Sequence, residues 1–156
     1  MLMNQEQFID IVKALVKDAC ALKDRHTKEA DALVNYACIF PHSESEYDEY
    51  FAVANSLGSV AKETPTGLLF LVDSIDTVSG NLRLVKVRRP DPTRTERGDA
   101  DFTVDNYENF KSEILKSAGT KLIERPEMEM IELMEDGADV RVYFSNPPLD
   151  KQLGIG

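Results

Sequence analysis

Apolar positions near the start of the chain recur at intervals of three and four: Phe8, Ile11, Val12, Leu15, Ala19 and Leu22. That spacing gathers side chains on one face of a helix. Asn4 with Gln7 supplies a capping pair at its start. The polar run KDRHTKEAD (23–31) follows as a connector or a short second helix. From Leu33 the period changes. LVNYACIF (33–40) is apolar almost throughout and predicts a buried strand that Pro41 ends. In SESEYDEYFAVANSLG (43–58), Ser43 and Glu46 form a capping box. Tyr47, Tyr50, Phe51, Ala54 and Leu57 line one face, and Gly58 closes the helix. SVAKET, LLFLV and LRLVKVRR then predict three strands, with turns at PTG and around DTVSGN.

The order repeats. DADFTV (99–104) predicts a strand and DNYENFKSEILKSAG (105–119) a helix. Asp105 and Glu108 cap that helix, Tyr107, Phe110 and Ile114 face inward, and Gly119 ends it. TKLIE, EMEMIELM and DVRVYF supply three more strands. Strand–helix–three strands thus occurs twice with little residue identity between the copies. The expectation is an α+β fold of two tandem βαβββ modules forming a cupped mixed sheet. The modules span about 33–90 and 98–146 of one domain (33–150). A helical extension (1–32) precedes that domain and a tail (151–156) follows it.

Charge changes the picture at one place. The chain of 156 residues carries a formal net charge of −10, which argues against general nucleic-acid binding because phosphates would be repelled. Yet Arg83 to Arg97 holds six bases (Arg83, Lys86, Arg88, Arg89, Arg94, Arg97) against Asp91 and Glu96. With 42% hydrophobic residues, no run long enough to span a bilayer and no basic-then-apolar leader, the expectation is a soluble cytoplasmic protein. Cys20 and Cys38 are too few for a disulfide framework and are expected to be reduced.

Several local patterns resemble the vicinal oxygen chelate superfamily, and within it the YecM-like group. They are VNYACIF as opening strand, SEYDEYFAVANSLG as helix, VRRPDPT as a strand running into a Pro-x-Pro exit, DADF opening the second module, and RPEMEMIELMEDGADVRVYF as its closing hairpin. Together they cover roughly residues 33 to 145. The resemblance implies a cup of two curved sheets with a ligand or metal inside; an alternative reading is a non-catalytic interaction module whose N-terminal helix pairs two copies as a homodimer, as many relatives pair. The superfamily's metal ligands are His and Glu on the first and last strands of each module. Here those positions fall on Tyr36, Arg88, Asp99, and Tyr143 or Arg141. Arginine stays protonated and cannot ligate, so no bound cofactor is expected. The leading expectation is a metal-independent pocket for a small anionic molecule, isomerase- or lyase-like if catalytic.

Within that reading Arg88 anchors the anion, with Asp99, Tyr36, Tyr143 and Arg141 around it. The plainer alternative for Arg88 and Asp99 is an ion pair tying the modules together. The loop PDPTRTERG sets Arg94 and Arg97 over a ligand, or else is a solvated crossover whose glycine permits an unusual turn. A divalent-metal enzyme would draw on His42, Asp99, Asp101 and Glu63. His42 and His26, lacking a second histidine at ligand spacing, are expected on the surface. Cys38 is expected to be a small buried hydrophobe. In EMEMIELMED, alternation puts Met128 and Met130 inward and Glu127, Glu129 and Glu132 in water.

Overall fold

The computed structural model describes residues 2–155; Met1 of the expected extension and Gly156 of the expected tail lie outside the described residues. Helix α1 (Gln5–His26) begins on the anticipated capping box: Asn4 Oδ1 accepts the Gln7 N–H, and the Gln7 side chain accepts the Asn4 N–H. The polar run after Leu22 first completes this helix, so no second helix forms there. Its stripe of Phe8, Val12, Leu15, Val16, Ala19 and Leu22 is fully buried. Burial of each large side chain contributes about 1.5–3 kcal/mol. The partner of that stripe is the molecule's own sheet, since α1 packs on β8, β5, β3 and β1. An extension by its place in the chain, α1 is part of the core by its packing.

The first module runs β1 (Leu33–Ile39), α2 (Glu44–Leu57), β2 (Gly58–Thr64), β3 (Gly67–Thr77) and β4 (Gly80–Arg88). The second runs β5 (Gly98–Thr103), α3 (Tyr107–Ile114), β6 (Thr120–Glu124), β7 (Glu129–Leu133) and β8 (Val140–Asn146). All eight strands form one mixed sheet in the order β2-β3-β4-β1-β5-β8-β7-β6. The opening strand of each module pairs in parallel with the closing one, β1 with β4 and β5 with β8. Antiparallel pairing of β1 with β5 joins the halves. The expected doubled α+β plan is therefore the fold. The short α4 (Leu149–Gln152) folds back from the tail, where the Asp150 N–H donates to Asn35 Oδ1 (3.1 Å).

Local chemistry differs from expectation at several ends. Glu46 does not complete a capping box: Ser43 Oγ accepts the Glu46 N–H, while the Glu46 carboxylate takes the His42 N–H instead. Gly58 opens β2 directly in an extended conformation. A Cβ there would stand 2.0 Å from the Leu71 carbonyl oxygen, so close strand approach, not a left-handed cap, demands glycine. In α3 the cap is Asn106, whose Oδ1 accepts the Asn109 N–H, one residue later than predicted.

Candidate functional site at the inner face of the sheet

Strand alternation sorts the two faces. Val34, Ala37 and Ile39 of β1, Val85 and Val87 of β4, Ala100 and Phe102 of β5, and Val142 and Phe144 of β8 join the helices in one core. Alternate residues point to the opposite face. A register shift between Val34 and Tyr36 turns Tyr36 to that face as well, opposite Asp101, with Cys38 opposite Asp99. Cys38 also pairs with Lys86, Asp99 with Arg141, and Asp101 with Tyr143. Tyr36, Cys38, Lys86, Arg88, Asp99, Asp101, Arg141 and Tyr143 thus share one face across four central strands.

On this face Asp99, Asp101 and Tyr143 are only 6%, 0% and 5% exposed. The segment 89–97 supplies part of the cover. Arg94 of that segment reaches in to donate to the Tyr143 hydroxyl (3.5 Å). Glu96 accepts from Arg141 on two nitrogens, and the Glu96 carbonyl bonds His42 Nε2 (2.8 Å). The segment is therefore part of the site and not a solvated crossover. Arg97 points away, bridging Asp18 and Asp139 (2.5 Å each). Gly98 makes no turn. As the first residue of β5 it lies where a Cβ would meet the Cys38 carbonyl at 2.1 Å.

The five residues proposed to bind ligand do not behave alike. Arg141 is spent within the protein. Besides Glu96 it donates to Glu132 Oε2 (3.3 Å), and Tyr143 donates to the same oxygen (2.6 Å). Glu132 thus faces inward and not water, and Glu129 on the other face accepts from Tyr107 (2.8 Å) and pairs with Lys111 (2.7 Å). The expected facing holds only in part: Glu127 is exposed, but Ile131 and Leu133 fill the core, while Met128 and Met130 are half-buried. Arg88 has a loose partner, Asp91 at 3.7 Å, and its buried Nε has no hydrogen-bond partner among the described residues. Asp99 Oδ1 is likewise buried and unpartnered. The anticipated Arg88–Asp99 tie is not made.

Electrostatics follow burial. Asp99 is pushed up to about 7 by desolvation and the neighbouring Asp101 charge, against the pull of Arg94, Lys86 and Arg88. Burial raises Asp101 to about 7 too, although Ser145 donates both its N–H (3.1 Å) and its hydroxyl to that carboxyl. Burial first, then the acidic neighbours Asp99 and Asp101, lifts the half-buried Tyr36 well above the usual phenol range. Burial and Asp99 hold Cys38 as a thiol. Besides Arg141 the cations here are Lys86, Arg88 and Arg94, and the guanidiniums of the last two lie 5.9 and 5.4 Å from the Phe40 ring. Phe40 and Lys86 were not singled out from sequence. Lys86 and Arg88, two apart on one strand, carried the signal.

The residues named for a metal are not gathered. Glu63 lies on edge strand β2 opposite Leu68, and His42 Nε2 is engaged by the Glu96 carbonyl. Among the described residues no three His, Cys, Asp or Glu side chains come together as a metal requires. Tyr36, Arg88, Asp99, Arg141 and Tyr143 offer one carboxylate, two phenols and two guanidiniums, a donor set that does not fit a divalent ion. His26, expected at the surface, bonds Glu135 (2.7 Å) beside Arg25. A groove of about 830 Å³ lies elsewhere, between the start of α1 and α2, lined by Met3, Ala52 and Val53 among others. Its lining also includes the acids Asp48 and Glu49, and none of the residues proposed to bind ligand. Among the described residues no helix is long and apolar enough to cross a membrane.

No protein-family model matches the chain, and no curated protein sequence matches it. Among solved structures it is similar to one described as "Structural Genomics, Protein EC4020", with a TM-score of 0.69 and 13% identity over 99% of this chain and 97% of that one. A glyoxalase/bleomycin resistance protein/dioxygenase superfamily member from Vibrio splendidus 12B01 gives a TM-score of 0.41 and 10% identity over 73% of this chain and 97% of that one. The second likeness is too loose to carry an argument, and the first, at its low identity, establishes a shared α+β fold and nothing further.

Proposed function

We propose that the inner face binds a small anionic molecule without a metal, in a protein of the vicinal oxygen chelate superfamily and its YecM-like group. The doubled βαβββ plan supports the kinship. One observation carries the binding: Arg88 Nε and Asp99 Oδ1 are both buried and unpartnered, on the two strands that flank β1. An unsatisfied buried polar atom costs about 1–3 kcal/mol, and one ligand can satisfy both. Its anionic group meets Arg88, with Arg94 beside it. A ligand oxygen then meets Asp99, which accepts from a hydroxyl when ionised and donates to a carbonyl when protonated. The phenols of Tyr36 and Tyr143 complete a polar wall. Such a wall suits proton transfer beside a carbonyl, the chemistry of isomerases and lyases.

Titration calorimetry with lactate, pyruvate and inorganic phosphate tests this. At least one is expected to bind the wild type and to lose tenfold or more in Arg88→Leu. Equal affinity in both proteins overturns the reading. Stoichiometric divalent metal in protein purified without chelator overturns its metal-independence.

A further inference from the structure

Lys86 stands out among the cations of the inner face. It lies on β4 opposite Cys38 and two residues before Arg88, so all three project from the same surface. Its Nζ donates to the neutral Thr66 hydroxyl (2.5 Å), and among the described residues no ion pair includes it. The charged and titratable groups that it faces are Cys38 from β1, Arg88 from β4, Asp99 from β5 and Arg94 from the 89–97 segment. The same chain shows how it treats a structural lysine. The fully buried Lys23 holds Asp24 Oδ1 (2.7 Å) and the Glu29 carbonyl (2.5 Å). Lys86 has no such anchor.

We infer that Lys86 captures a 2-oxo acid covalently, its amine condensing with the carbonyl carbon while Arg88 and Arg94 hold the carboxylate. The inference rests on the pocket proposed above and names its substrate class. An amine attacks only when neutral. Burial, aided by Arg88 and Arg94, lowers the Lys86 ammonium below the ordinary lysine range, while Cys38 and Asp99 oppose. Cationic neighbours and desolvation are the usual means of activating such a lysine.

The step balances without an oxidant or reductant. The Nζ lone pair forms the N–C bond as the carbonyl π pair moves to oxygen. That oxygen takes a proton and the nitrogen loses one, giving a carbinolamine. Asp99 in its protonated form then gives its proton to the hydroxyl, the C–O bond breaks, and water leaves as the nitrogen pair forms the iminium. With its carboxyl near 7, Asp99 is divided between acid and base forms at neutral pH. That suits it to return the proton in the reverse step. Cys38, held as a thiol, does not compete for the carbonyl.

Incubation of the full chain with pyruvate and sodium cyanoborohydride, followed by peptide mapping, tests the capture. The expected result is a reduced adduct on Lys86 in stoichiometric yield. It should be absent in Lys86→Arg and Lys86→Met, and at least tenfold slower in Arg88→Leu or with acetone in place of pyruvate. Melting curves show which of the two Lys86 variants is folded and serves as the control. Label spread over surface lysines, with Lys86 no faster than they are, overturns the inference. Pyruvate binding by calorimetry without an adduct also overturns it and leaves the pocket standing. Absence of the adduct together with no binding of pyruvate, lactate or phosphate removes pocket and capture together.

Discussion

Each module ends its inner face with an arginine on its closing strand, Arg88 on β4 and Arg141 on β8, and the two have opposite fates. Arg141 meets two carboxylates, Glu96 and Glu132, in a network whose three side chains are only 13%, 10% and 12% exposed. Arg88 meets one carboxylate at 3.7 Å and keeps a buried nitrogen without a hydrogen-bond partner among the described residues. The difference lies in what surrounds them. Acids on β7 and in the 89–97 segment meet Arg141, while Arg88 has Lys86, Arg94 of that same segment and the Phe40 ring around it. An arginine whose hydrogen bonds are filled by its own chain is a structural part. One left partly open has binding capacity in reserve.

The sharpest way to break this comparison is to remove each guanidinium in turn. Arg141→Leu leaves Glu96 and Glu132 buried without their cation. It is expected to destabilise the fold by about 3 kcal/mol, the low end for a broken buried pair because its rim still touches water. Urea unfolding measures it. A loss under about 1 kcal/mol would make Arg141 no different in kind from a surface ion pair.

Next in size is the response to pH. Asp99 and Asp101 sit near 7 in the folded protein against an ordinary 3.8. Between those values the folded state holds more protons than the unfolded one. Stability therefore falls as pH rises through that window and levels off above about 7. From pH 8 down to 5.5 each group is expected to add about 2 kcal/mol, seen as a rising melting temperature. Glu96, held low by Arg141 against the opposing effect of burial, loses its contribution only below its ordinary 4.5, outside this range. Asp99→Asn should flatten the profile by about half; an unchanged profile would show that Asp99 is already ionised throughout.

Arg88→Leu is expected to leave the melting temperature nearly unchanged while weakening anion binding at least tenfold. That split between stability and affinity separates it from Arg141→Leu. Smallest of all should be Glu135→Gln. This residue is held low, to about 2, by Arg25 and His26, yet at 33% exposure beside the end of α1 it is more open to water than the Arg141 network. Its melting shift is expected to be smaller than that of Arg141→Leu and to shrink further with salt. A shift as large as Arg141→Leu would mean that pair count, not burial, sets stability here.

Much of this architecture was legible in the chain. The helical period from Phe8 to Leu22, the switch at Leu33 and the repeated element order identified both modules, because periodicity is a local property. Element ends were less legible. Gly58 and Gly98 read as turn glycines, yet each is fixed by a carbonyl from a distant strand. The strand EMEMIELM was misread in its facing because Glu132 is drawn inward by Arg141 and Tyr143, partners that a local pattern does not show. Arg88 and Asp99 were correctly placed on one face, but not in their relation: they stand on strands either side of β1 and do not bond each other.

What the sequence by itself determined was which residues alternate, where helices begin, and that positive charge collects between Arg83 and Arg97. Only the tertiary structure decided which of those charges are neutralised. Pairing depends on register across β4, β1, β5 and β8 and on a segment folding inward. A charge's worth depends on the water and partners left around it, and both are set by residues tens of positions away.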